Sequence, residues 1–168
     1  MVTLRPVNLG APSPTPDATT ASSRVDPATG VLITSNTATV NAPANFKKSP
    51  LLVSFGASVN GPDARYNLGL NDQEIPLESE SLDYVSKLSQ AASVHKPPLE
   101  RQPDTTVAGR PAHHLAGPDS IFGHWTEEFG FRHEGHTIDV TVSTPVDLPQ
   151  DQRNAIAALI PASVKLIG

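Results

Sequence analysis

Between Trp125 and Val142 the sequence alternates so regularly that a pair of strands is the structure that satisfies it. Trp125, Phe129 and Phe131 share one parity, Ile138, Val140 and Val142 share one on the far side, and His133-Glu134-Gly135-His136 joins the two runs. A period of two sends successive side chains to opposite faces of an extended chain, and a short link containing glycine closes a hairpin. One face of this hairpin is apolar and must be covered. The other carries Thr126, Glu128, Arg132 and Asp139, which are expected to face out. Glu127 breaks the pattern, because its parity puts a carboxylate on the apolar face. A wet sheet end or a basic partner must accommodate it there.

Upstream, Val31 to Thr34 and Thr37 to Asn41 are β-branched runs separated by Ser35-Asn36, which predicts two short strands or a bulged hairpin. Ala42-Pro43-Ala44-Asn45 closes that ladder, since proline cannot donate within a central strand. Leu51 to Ala57 is a mostly apolar strand and Ser58 to Ala64 a turn. Tyr66, Leu68 and Leu70 then alternate with Asn67, Gly69 and Asn71 in a half-buried strand. After Pro76 the period lengthens to about 3.6. Leu82, Val85, Leu88 and Ala92 make one helical face, Asp83, Ser86 and Lys87 the other, and Ser79 or Ser81 is placed to cap the start.

Pro97-Pro98 stops this helix, residues 95–105 read as a polar loop, and Thr106 to Leu115 as a strand in which Gly109 and Pro111 mark an edge or bulge. Asp147, Pro149 and Gln150 open a second helix whose buried face is Ala155, Ile156, Leu159 and Ile160 and which Pro161 ends. Val164 and Leu166 alternate in a short closing segment. The expected fold class is α+β: an antiparallel β-sheet flanked by two helices behind an extended N-terminal arm.

Residues 1–29 form that arm. Five of the 17 prolines fall between Arg5 and Thr29, among Ser, Thr and Ala and without apolar periodicity. Such a stretch buries too little to offset its ordering entropy and is expected to be flexible or polyproline-like by itself. Val2, Leu4, Val7 and Leu9 at its tip alternate roughly as a docking strand would, so the arm is either a tether or a segment that orders against a neighbour. Residues 30–168 are long enough for one domain with a real core.

With no cysteine, disulfides, thiolate metal sites and cysteine nucleophiles are excluded. The net charge of -5, with Lys47-Lys48 as the one adjacent basic pair, argues against nucleic acid as a partner. The longest apolar run, Ala155 to Ile160, is far short of the ~20 residues that span a bilayer. Met1 to Gly10 lacks an apolar signal core, which suggests a cytoplasmic protein, or an envelope-associated one if a signal preceded this sequence.

Neither a Gly-x-Ser-x-Gly elbow nor a glycine-rich phosphate loop is present. Glu127 and Glu128 point to opposite faces of one strand and cannot easily work as an acid and base pair. His113 and His114 also point to opposite faces, and His133 and His136 straddle a turn where histidines are usually solvated. A metal site from His113 or His114, His124 and Asp119 is geometrically conceivable, although two adjacent histidines on opposite faces cannot grip one ion together. No catalytic residue, metal or cofactor is therefore expected. The loop from Gly117 to Gly123 presents Ile121 and Phe122 in polar surroundings, and with His124 and Trp125 these are the candidate protein-binding residues of the body. Val2 and Leu4 are those of the arm.

The order of segments also carries a resemblance. Pro43-Ala44-Asn45-Phe46 precedes a hairpin ending in Tyr66-Asn67-Leu68-Gly69-Leu70; Ser81-Leu82-Asp83-Tyr84 opens a helix; Val107-Ala108-Gly109-Arg110-Pro111-Ala112, a long hairpin and a closing helix follow. From about residue 37 to 167 the chain resembles the PsbP-like α/β/α sandwich superfamily, and within it the DcrB-like branch. The resemblance implies an antiparallel sheet covered by helices and no catalytic centre. That branch includes envelope lipoproteins and the Eag-type chaperones that hold apolar segments of type VI secretion effectors. Plant members assist photosystem II, and a fungal branch binds the nuclear GTPase Ran. The long arm departs from the compact chaperone pattern. The expected function is a non-catalytic adaptor or chaperone-like module that holds an apolar segment of a partner protein. The alternatives are the head of an exported or lipid-anchored envelope protein and a structural subunit that assembles through its arm.

Overall fold

The computed structural model describes residues 28–48, 56–77 and 79–168. Along the chain these form β1 (Leu32–Thr34), β2 (Ala38–Asn41), β3 (Lys47–Lys48), β4 (Gly56–Asn60), β5 (Asn67–Glu74), α1 (Leu82–Ala92), β6 (Glu100–Val107), β7 (Arg110–Asp119), β8 (His124–His133), β9 (His136–Pro145), α2 (Gln150–Ser163) and β10 (Lys165–Leu166). The arm tip with Val2 and Leu4, and most of the strand expected at Leu51 to Ala57, lie outside the described residues.

The alternating hairpin is β8 and β9, paired from His124↔Pro145 to His133↔His136. It is central to a seven-stranded antiparallel sheet of order β3-β4-β5-β9-β8-β7-β6, while β1, β2 and β10 make a separate three-stranded sheet. Phe129, Phe131, Ile138, Val140, Val142, Leu68 and Leu70 share one face of the large sheet. They pack with Ile33 and Val40 of the small sheet and with Ala157 and Ile160 of α2 in one apolar core. The opposite face lies under α1, which packs on β7 and β8. No helix among the described residues is long and apolar enough to cross a membrane.

Several elements differ from the sequence expectation, each for a physical reason. Residues 100–107 are strand β6, not loop. β6 is an edge strand interrupted by a bulge between Gln102 and Thr105, so Pro103 is tolerated and little of the strand is apolar. Gly109 marks a tight turn between β6 and β7 rather than an edge: Ala108 and Gly109 have φ of 48° and 78°, as do Glu134 and Gly135 at 50° and 82° in the next hairpin. The strand before the Asn60-Gly61 turn runs through Ser58 to Asn60.

In α1, Val85 and Ser86 are buried while Leu88 and Ala92 are exposed, because the helix rests on the sheet through Val85 and Ser86 and leaves the rest of its apolar stripe lining a cleft. Ser81 caps it as expected, accepting from the Tyr84 amide at 3.3 Å. In α2 the buried residues are Ala157, Ile160 and Ser163. Ala155 is exposed, Asp147 pairs with Arg65 instead of capping, and Pro161 sits inside the last turn.

The largest correction concerns Thr126, Glu128 and Asp139. They occupy the face opposite the apolar core, as parity requires, but that face is covered: Thr126 and Glu128 are buried and Asp139 is half-buried.

Candidate functional site

Four strands place one residue each in a single row beneath α1. Asn71 of β5 pairs with Asp139 of β9, Asp139 with Gly130 of β8, and Gly130 with His113 of β7. Glu128, two residues from Gly130 on the same face, completes the group. His113 is fully buried, and its Nε2 lies 3.5 Å from Glu128 Oε1. One donor atom from each of His113, Glu128 and Asp139 lies within 4.8 Å of the others.

Gly130 makes this convergence possible. A Cβ there would collide with the His113 ring and the Asp139 carboxylate, so the imidazole and carboxylate fill the space that any side chain would need. Burial, and then the nearby charge of Glu128, push the Asp139 carboxyl up to about 8, which keeps it protonated near neutrality.

Asp139 also forms part of the floor of a cleft of about 150 Å³. Asn71, Gln73 and Thr137 line the rest of the floor, and Ile75, Leu77, Val85, Leu88 and Ala92 supply the apolar walls. Leu88 is 41% exposed at its mouth. Arg132, on the same face, donates to Thr137 Oγ1 at 2.7 Å and to Glu80 at 3.2 Å, tying the sheet to the segment that leads into α1.

On the opposite face Glu127 has a basic partner, one of the two accommodations its parity allowed. Its Oε2 lies 3.0 Å from His114 Nε2, and Trp125 Nε1 donates to its Oε1 at 3.2 Å. The imidazole of His114 stacks on Phe129, with ring centroids 4.6 Å apart. The turn histidines are not simply solvated. His136 Nδ1 is 2.7 Å from Asp72 Oδ1, and His133 is buried beside Arg110. Burial would raise the Asp72 carboxyl, but hydrogen bonds from Ser35, Thr37 and His136 outweigh it and hold it below its usual range. Asp119 behaves alike: burial opposes ionisation, and His95 with the Ile121 and Phe122 amides overcomes it.

The metal set conceivable from sequence is not assembled. Asp119 is engaged by His95 at 2.8 Å, His114 lies on the α2 face with Glu127, and His124 stacks near Phe122. Ile121 and Phe122 are 57% and 60% exposed at the β7–β8 turn, so they do not plug the core. Trp125 is half-buried beneath the Arg153 guanidinium, 4.4 Å from the ring centroid. The α1 cleft and the His113, Glu128, Asp139 group were missed in the sequence. Gly130, a glycine between Phe129 and Phe131 in a strand, was the signal that pointed to a close approach at that position.

The cyanobacterial PsbP (CyanoP) from Synechocystis sp. PCC 6803, whose structure was determined in solution, matches with a TM-score of 0.51 over 77% of this chain and 86% of its own, at 12% identity. A crystal structure from Bacteroides thetaiotaomicron VPI-5482 matches with a TM-score of 0.51 over 78% of this chain at 7% identity, and the match spans 45% of that longer protein. The fold is therefore PsbP-like. No protein-family model matches the chain, and no curated protein matches it significantly.

Proposed function

We propose that the domain is a non-catalytic protein-binding module that holds an apolar segment of a partner protein in the cleft beside α1. The observation that carries this reading is the cleft itself: Ile75, Leu77, Val85, Leu88 and Ala92 form its walls, although only Val85 among them is buried. At about 150 Å³ it is below the roughly 300–1,000 Å³ typical of small-molecule sites and suits one or two aliphatic side chains. The polar floor of Asn71, Gln73 and Thr137 offers hydrogen bonds to the backbone of such a segment. A chaperone-like role of the DcrB-like branch agrees with this arrangement. The exposed Ile121 and Phe122, with His124 and Trp125 beside them, form a second patch that extends the same contact or serves a separate one.

The test is site-specific photo-crosslinking from position 88 in the full chain, with the captured segment sequenced. Crosslinks concentrated on an apolar stretch of one partner and lost in Ile75→Asp support the reading. Equal recovery of that partner by wild type and Leu88→Asp sinks it. The same measurement without residues 1–29 separates a passive tether from a binding arm.

A further inference from the structure

We infer that His113, Glu128 and Asp139 form a binding site for a divalent first-row transition-metal ion, zinc foremost, at the floor of the α1 cleft. The donor atoms already converge within 4.8 Å of one another, and the separation of His113 Nε2 from Glu128 Oε1 is 3.5 Å. Zinc bonds of about 2.0–2.1 Å in tetrahedral geometry place neighbouring ligand atoms about 3.4 Å apart. Small side-chain adjustments therefore bring all three donors onto one ion.

A second observation points to a ligand independently of that spacing. Asp139 Oδ1, which shares the space at Gly130 with the His113 ring, is buried without a hydrogen-bond partner, although nearly all buried polar atoms in folded proteins have one. Both residues flank Gly130, whose missing side chain leaves the space that the imidazole Nε2 and Asp139 Oδ1 share. A cation between them supplies the partner that the carboxylate oxygen lacks.

Charge and chemistry agree. With Asp139 ionised, the two carboxylates carry a charge of -2 that a dication cancels, so the metal displaces the proton that Asp139 otherwise keeps and removes the cost of two like charges in a covered site. One imidazole with two carboxylates suits zinc, iron, cobalt or manganese. Calcium and magnesium favour an all-oxygen shell, which the imidazole nitrogen of His113 does not supply. Asp139 borders the cleft, which gives the ion its route in. Three protein ligands leave a coordination position for water or a donor from outside the chain.

The full chain, stripped with a chelator and titrated with zinc chloride at neutral pH by calorimetry, should bind one zinc with micromolar or tighter affinity. Asp139→Asn and His113→Gln should each weaken binding roughly 100-fold or more, since even outer-shell changes cost 10–100-fold. His95→Gln should bind like the wild type. Cobalt added to the wild-type chain should give the intense visible bands of a four- or five-coordinate ion. The absence of stoichiometric zinc binding overturns the proposal, as does unchanged affinity in a folded Asp139→Asn variant. If both ligand variants fail to fold, the wild-type cobalt spectrum decides, and the pale spectrum of the hydrated ion counts against the site.

Discussion

On one face of the seven-stranded sheet Leu68, Leu70, Phe129, Phe131, Ile138, Val140 and Val142 meet α2 and the small sheet in a continuous apolar core. On the other, Asn71, Asp139, Gly130 and His113 lie in one row under α1, and the apolar side chains of that helix and its approach stay partly exposed around a cleft. The same two strands, β8 and β9, supply both faces. The first face closes mainly on shape and volume, where burial of its apolar side chains is favourable. The second must satisfy hydrogen bonds and charges, so it packs less completely and retains groups able to bind something. In the proposed reading, stability and partner recognition are carried on opposite sides of one sheet.

The largest expected effect breaks the apolar face. Phe131→Ala removes a fully buried ring and should cost about 3–5 kcal/mol, read from urea unfolding. A cost below about 1 kcal/mol would mean that this face is not the main source of stability. Gly130→Ala tests the crowding of the other face: its Cβ overlaps the His113 ring and should cost about 1–3 kcal/mol while strand content by circular dichroism persists.

Asp72 sharpens the comparison, because it is a carboxylate on the α2 side of the sheet, hydrogen-bonded to Thr37 and His136. Its carboxyl is held below the ordinary 3.8, so its contribution is fully present above that pH and is lost as the pH falls further through the native value. Asp72→Asn should cost about 1–3 kcal/mol at neutral pH and flatten the stability curve below pH 4, measured as urea midpoints against pH. The smallest effect belongs to the cleft. Leu88→Ala should change stability by no more than about 0.5 kcal/mol while weakening partner capture. A loss comparable to that of Phe131→Ala would make the cleft wall part of the core and remove the contrast.

Much of the apolar side was legible in the sequence. The parity of Phe129 and Phe131 against Ile138 and Val140, the Tyr66 to Leu70 alternation and the cap at Ser81 all correspond to local rules of strand and helix geometry. β6 was not legible, because an edge strand needs no apolar face and Glu100 to Thr106 has none. Leu88 and Ala92 were expected to be buried because helical spacing identifies a stripe, whereas the tertiary placement of α1 decides how much of that stripe touches the sheet. His113, Glu128 and Asp139 lie 11 to 26 positions apart in the chain, and strand register alone brings them together.

By itself the sequence determined the antiparallel hairpin, the α+β class, the opposite orientation of His113 and His114, and the place of Glu127 on the apolar face. Each follows from side-chain parity or residue chemistry within a short span. The tertiary structure alone decided what lies over the second face. Parity states that Glu128 and Asp139 point away from the apolar core; it carries no information about whether water or a helix from residues 82–92 waits there. That choice turned carboxylates expected at the surface into a covered cluster beside a cleft.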